Sequence, residues 1–261
     1  MAEKIKLTGV PETMLQTIYA RANESKNRKA IFDEKAIEII DNLDYNFSLA
    51  SKDKPMHDGV VARTIVLDKL TKNWLLKNNN GIVVNIACGL DTRCYRMSNY
   101  CHWYNLDLPE TISVREKLLP ENGIISQISS SAMDDWSNEI KEKDVPTLVI
   151  IEGLSMYLTA NDVKKIFSII SNTFLHVTVF IEIMNPLVVK HFKEKSIDAS
   201  NAKFKFGIKN GKKLASLIDD FSFDSEYSLT LGMKEFFSIY KIFNKIPFIR
   251  NFSNKIVVLK K

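Results

Sequence analysis

The chain is poor in the residues that metal, redox and membrane chemistry require. It has only three cysteines, Cys88, Cys94 and Cys101. Their spacings of six and seven contain no CxxC pair, which argues against a zinc site. An odd cysteine count fits a reduced intracellular compartment. The four histidines, His57, His102, His176 and His191, lie far apart and read as surface or packing residues. No metal is expected. No apolar run reaches membrane-spanning length, and Met1–Lys6 opens without a signal-peptide pattern, so a cytoplasmic protein is expected. Concentrated positive charge is also missing. The net charge is +5 and the lysines are spread along the chain, which gives no basic stripe for nucleic acid.

What is present is ordinary globular composition. The 261 residues are 45% hydrophobic and 26% charged, enough for one domain with a sizeable core. Residues 12–50 carry apolar positions at helical spacing. Lys52-Asp53-Lys54-Pro55 breaks that pattern, and residues 59–77 resume it through Val60, Val61, Ile65, Val66, Leu70 and Trp74. Asn78–Gly81 reads as a turn. Short β-branched runs then alternate with helical stretches. Ile82–Ile86, His102–Leu106, Ile124–Ile128, Thr147–Ile151 and Val177–Ile183 read as strands, and 109–119 and 161–173 as helices. Strand–helix alternation predicts a doubly wound, mostly parallel α/β sheet covered on both faces. Phe223–Leu229 and Lys255–Leu259 add two more strands. Residues 186–220, rich in Lys, Asn and Ser, read as a helical insertion over the top edge, a lid. The division expected is a helical cap over 1–80, a core over 81–185, the lid over 186–220 and closing strands over 221–261. Lys234–Lys255 mixes aromatic and isoleucine residues with lysines. Such stripes can lie on membranes, but Pro247 interrupts it, and packing against the sheet is the expected role.

In an open parallel sheet, ligands bind beyond the carboxyl ends of the strands. Strand one is followed by Ala87–Arg93, strand two by Asp107-Leu108-Pro109 and strand four by Glu152–Leu158. Asp107 stands 18 residues after Gly89, the interval at which an acid grips a ribose diol. A nucleoside ligand follows, but not a dinucleotide. The GxGxxG fingerprint is absent, and Asp91 would repel a pyrophosphate at the helix N-terminus. A Rossmann-type dehydrogenase is disfavoured on the same grounds. S-adenosylmethionine has a ribose, an adenine, a positive sulfonium and no phosphate, so acidic residues suit it.

Val83–Arg96 (VVNIACGLDTRCYR), Asn105–Pro109 and Glu152–Leu158 (EGLSMYL), with Thr13–Ala36 and Ala62-Arg63-Thr64 before them, resemble the leucine carboxyl methyltransferase superfamily. The nearest branch is the bacterial one with tetracenomycin-type polyketide O-methyltransferases. The resemblance runs over residues 7–185 and implies a class I methyltransferase fold with a seven-stranded sheet and S-adenosylmethionine as cofactor. It implies that Arg63 pairs with the cofactor's methionine carboxylate, for which a guanidinium fork is suited. Gly89 would let the backbone approach the ligand, Asp107 and its neighbour Leu108 would hold the ribose, and Asp134 or Asp135 would take the adenine amine, Asp134 being preferred. Glu152 would face the cofactor's amino group, Tyr157 would line the site near the reacting methyl, and Arg21 would reach in from the cap. Arg93 reads equally as an ion-pair partner. Cys88 occupies a small-residue position and is not read as a nucleophile. The expected acceptor is a small molecule presenting a carboxylate or hydroxyl. The alternatives are a protein C-terminal carboxylate or a non-catalytic cofactor-binding module.

Overall fold

A computed structural model of the chain describes residues 12–191 and 204–261. Seven strands form one sheet in the order β3-β2-β1-β4-β5-β7-β6. They are β1 Ile82–Ile86, β2 His102–Asp107, β3 Ile125–Ser129, β4 Thr147–Ile151, β5 Val177–Ile183, β6 Ser222–Ser228 and β7 Lys255–Lys260. Only β7 runs against its neighbours β5 and β6. The chain winds outward from β1 through β2 to β3, then returns to place β4 on the other side of β1. That reversal opens a crevice at the carboxyl ends of β1 and β4.

Both faces of the sheet are covered, which is why β1 and β4 read as largely apolar runs and every residue in them is buried. Helix α4 (Lys54–Lys77) lays Ala62, Val66, Leu67 and Leu75 on one face, against Val83, Leu148, Ile150 and Ile256. On the opposite face, Val163, Ile166, Phe167 and Ile170 of the later helix Ala160–Thr173 pack against Val84, Val149, Val179 and Val257. Their i, i+3, i+4, i+7 spacing makes the apolar stripe. That helix starts in a capping box, where Thr159 accepts from the Asp162 N–H and the Asp162 carboxylate accepts from the Thr159 N–H.

Helix α4 begins at Lys54, earlier than the expected residue 59. Asp53 caps it by accepting from the Met56 N–H at 3.2 Å, and Pro55 sits in the first turn. Proline there forfeits only an N–H that has no helical partner, so it starts this helix instead of breaking it. Before it come α1 (Glu12–Lys26), α2 (Glu34–Asn42) and α3 (Ser48–Lys52). Leu15, Ile18, Ala22 and Ile39 of α1 and α2 pack against Leu90 and Val114, which places these helices over the carboxyl edge of the sheet.

Further short helices are α5 (Arg93–Arg96), α6 (Pro109–Leu118), α7 (Ala160–Thr173, above), α8 (Pro186–His191), α9 (Gly211–Ala215), α10 (Thr230–Met233), α11 (Tyr240–Phe243) and α12 (Pro247–Phe252). The expected insertion at 186–220 is only partly visible, since 192–203 lie outside the described residues. Its second half is a core crossover. Ile208, Leu214 and Ile218 join the cluster on the α7 face, and Gly211 lies so close to the sheet that a Cβ there would meet Phe223 and Val257 at 2.6 Å. The stripe at 234–255 also departs from expectation. Phe236 packs inward, but Ile239, Ile242, Ile246 and Phe248 are exposed. Turns divide the segment into α11 and α12, so its apolar side chains do not share one buried face. No described helix is long and apolar enough to cross a membrane.

Candidate active site

A cleft of about 350 Å³ opens where β1, β2, β4 and β5 end, with α1 and α4 above it. Of the residues expected at the site, Arg21, Arg63, Gly89, Asp107, Leu108, Glu152 and Tyr157 all line this cleft. Asp134 does not. It is exposed in the turn after β3, where its N–H donates to the Ser131 carbonyl. Asp135 is exposed as well and accepts from the Ser137 N–H.

Asp107 closes β2 and anchors the turn after β1. Its Oδ2 accepts from the Gly89 N–H at 2.7 Å and its Oδ1 from the Leu108 N–H at 2.8 Å. Gly89 can aim its N–H this way because it holds φ at +49°, a left-handed conformation natural to glycine. Thr111 adds a side-chain hydrogen bond, which still leaves the carboxylate capacity for a ligand hydroxyl. Burial pushes the Asp107 carboxyl above its ordinary range, against the opposing pull of those two N–H groups. A raised carboxyl favours the protonated form in the fold, so its stabilising contribution lies at low pH and fades as pH rises through the raised value. A diol held by Asp107 would need the anion, so its binding would run the other way. Cofactor affinity is therefore expected to fall on acidification, with a midpoint above the ~3.9 of a free aspartate. Calorimetric titrations between about pH 4 and pH 7 measure it.

Beside Asp107 runs a chain of ion pairs. Arg63 of α4 reaches Glu152 through Nε at 2.7 Å and Glu182 through Nη1 at 2.9 Å. The other oxygen of Glu152 meets Arg93 Nη2 at 2.8 Å. Arg93 also holds Asp68 at 2.8 Å and Asp91, and its side chain is 0% exposed. Arg96 joins Asp68 at 2.6 Å to Asp33 at 3.3 Å, and Asp33 caps α2 and pairs with Arg21 at 3.1 Å. Arg21 then donates to the Leu90 carbonyl at 2.7 Å, which fastens α1 to the turn after β1. Burial opposes ionisation of Glu152, but Arg63 and Arg93 outweigh it and hold the carboxyl below its usual range. Asp91 is depressed in the same way, with Arg93 and Arg96 prevailing over burial. Arg93 is thus a structural tie. Asp91 is committed to Asn85, to the Arg93 N–H and to the Arg93 guanidinium.

The wall towards β5 sets apolar side chains beside Glu182 and Asn254. Met156, Met184 and Phe204 line it with Tyr157, whose ring lies 5.5 Å from that of Phe204. Met14 of α1, beside Gly89, and Met56 of α4 also line the cleft. Cys88 is buried in the turn, and burial pushes its thiol well up, which fits its reading as packing. His57 contacts Asn23 at 3.3 Å and does not line the cleft. No group of His, Cys, Asp or Glu among the described residues is arranged to hold a metal.

Two features escaped the sequence reading. Glu182 is the one acid in the apolar strand Val177–Ile183, the same signal that singled out Glu152 at the end of β4. Beneath the glycine turn, buried Arg115 pairs with Glu121 and donates to the carbonyls of Gly89 at 3.0 Å and Asp91 at 2.8 Å. Nothing in helical periodicity marks such a residue.

The donor set fits S-adenosylmethionine. Asp107 suits a diol, Arg63 a carboxylate and Glu152 an ammonium, and the surplus of carboxylates favours a cation. A seven-stranded sheet with one antiparallel strand, an acid ending β2 and no phosphate-binding glycine motif define an S-adenosylmethionine-dependent methyltransferase. Solved structures share the fold. One methyltransferase-type structure from Thermobifida fusca YX aligns with a TM-score of 0.59 at 9% identity, covering 93% of this chain and 94% of that one. A methyltransferase from Anabaena variabilis aligns at 0.52 and 13% identity, covering 78% and 86%. The family model for leucine carboxyl methyltransferase matches residues 14–171. A tetracenomycin polyketide synthesis O-methyltransferase from Streptomyces glaucescens is 31% identical over 237 residues, covering 88% of this chain and 86% of the relative. An S-adenosyl-L-methionine-dependent methyltransferase from Gibberella zeae is 30% identical over 189 residues, covering 66% and 63%. The chain belongs to the leucine carboxyl methyltransferase family.

Proposed function

We propose that the protein moves the methyl group of S-adenosylmethionine to a carboxylate or acidic hydroxyl of a small, apolar, polyketide-like acceptor. The observation that carries this reading is the mixed lining of the cleft, where acids and arginines at the strand ends stand beside Met14, Met56, Met156, Met184, Tyr157 and Phe204. Methionine side chains adapt to flat, irregular apolar ligands and make favourable sulfur–aromatic contacts. The relative from Streptomyces glaucescens is named for polyketide synthesis, which agrees with that acceptor class.

Bound in the cleft, the cofactor supplies an electrophilic methyl on a sulfonium. Arg63 takes its carboxylate, Glu152 its ammonium and Asp107 with Leu108 its ribose. Gly89 leaves room along the turn, and Arg21 fixes α1 over it. Asp134, in the turn after β3, is exposed outside the cleft and is given no part in holding the adenine. Tyr157 orients the acceptor oxygen for in-line attack. Helices α1–α4 act as a cap that excludes water. A carboxylate is already ionised near neutral pH, whereas a phenol with a pKa of about 10 gains from a base.

The test is methyl transfer from isotope-labelled S-adenosylmethionine to aromatic polyketide acids, phenols and a peptide ending in leucine. Labelled product from a small acceptor is expected, and alkaline lability separates an ester from an ether. Label on the peptide alone contradicts the acceptor class, and cofactor binding without any product supports a non-catalytic module.

A further inference from the structure

Arg63 meets two carboxylates, and they are fixed very differently. Glu182 is 1% exposed and tied on several sides. Its Oε2 takes the Arg63 guanidinium at 2.9 Å and the Gly153 N–H at 3.0 Å, and its Oε1 takes the Asn254 amide at 3.1 Å. Glu152 is 12% exposed at the cleft wall, and its two oxygens meet the guanidiniums of Arg63 and Arg93. One acid is anchored to backbone and side-chain amides, while the other leans on charges that a zwitterion can replace.

We propose that Glu182 is a positioning residue that holds Arg63 towards the cleft, while Glu152 is the partner that gives way when the amino-acid end of the cofactor arrives. This rests on the reading of Arg63 as the carboxylate receptor. The charges match in both states. Before binding, Arg63 faces Glu152 and Glu182. After binding, the incoming carboxylate takes the edge of Arg63 that Glu152 held, and the incoming ammonium faces Glu152. No buried charge is left without an opposite at either stage, which matters because an unpaired buried charge is strongly unfavourable. Glu182 cannot make that exchange, since Gly153 and Asn254 keep its carboxylate in place. Without its charge, Arg63 collapses onto Glu152 and both receptors for the amino acid are lost together.

The experiment compares two ligands that share the nucleoside. S-adenosylhomocysteine carries the amino-acid end, and 5′-methylthioadenosine lacks it. Wild type, Glu182→Gln and Glu182→Asp are titrated with each. Glu182→Gln is expected to weaken S-adenosylhomocysteine by about tenfold or more, the loss of one charge-assisted contact. The affinity for 5′-methylthioadenosine should stay within about twofold. Glu182→Asp, which keeps the charge, should recover part of the loss. Equal weakening of both ligands, or of neither, overturns the proposal. If Glu182→Gln does not fold, Asn254→Ala frees only Oε1 and should give a smaller loss confined to S-adenosylhomocysteine, with equal or absent losses again overturning it. If wild type itself does not prefer S-adenosylhomocysteine, or Arg63→Ala leaves that preference intact, the role of Arg63 falls first and the positioning role falls with it.

Discussion

Replacing Arg93 with methionine will destabilise the protein by about 3–5 kcal/mol, the usual cost of breaking a buried ion pair by removing one partner. Methionine keeps the apolar stem and removes the guanidinium, so the loss combines the charge with a small cavity. Arg93 is fully buried and holds Asp68, Asp91 and Glu152. Arg96 still reaches Asp68, but Glu152 and Asp91 would lose the guanidinium they share. Both carboxyls are held below their usual range in the fold. Their contribution is therefore present above the unfolded pKa, near ~4, and is lost as pH falls through the depressed values. Thermal melts at neutral pH should show a drop of roughly 10 °C for a chain of this size. The variant should also be less sensitive to acid than wild type. A shift of only about 1 kcal/mol, as exposed ion pairs give, would mean that water reaches this network.

Asp107→Asn should weaken S-adenosylmethionine binding by about 100-fold or more. Two hydrogen bonds from a diol to a carboxylate contribute ~1.5–3 kcal/mol each, and each 1.4 kcal/mol is tenfold in affinity. The turn adds to the loss. Asp107 accepts from Gly89 on one oxygen and Leu108 on the other, and an asparagine has a single acceptor oxygen. Its amide would set a donor against one of those N–H groups, and the turn would shift away from the ribose. Calorimetry measures the affinity, and circular dichroism checks that the sheet survives. Unchanged affinity in a folded variant would remove Asp107 from the site.

The sheet was legible because burial on both faces writes itself as β-branched runs. Ile82–Ile86 and Thr147–Ile151 are wholly buried and are found where the pattern puts them. Glu152 stands out because it ends such a run, and Asp107 because it ends a strand 18 residues after Gly89. Helix α4 starts earlier than its periodicity predicts, because Pro55 reads as a breaker while its first-turn position lets it begin a helix. Glu182 was overlooked because it sits inside an apolar strand, where an acid was counted as strand and not as site. The stripe at 234–255 was expected to pack inward, yet Ile242 and Phe248 face outward, since periodicity reports an apolar side and not whether anything covers it. Asp134 shows the same limit. Its position after β3 follows from the chain order, but the turn leaves it exposed and away from the residues lining the cleft. The pairing of Arg115 with Glu121 could not be read at all, because it depends on how α6 meets the glycine turn.

The most direct measurement is a calorimetric titration of S-adenosylmethionine into wild type, Arg63→Ala and Asp107→Asn. Clear single-site binding by wild type and large losses in both folded variants are expected if Arg63 holds the amino-acid end and Asp107 the ribose. Absence of binding by folded wild type, or wild-type affinity retained in both variants, would contradict the assignment of this cleft as the cofactor site.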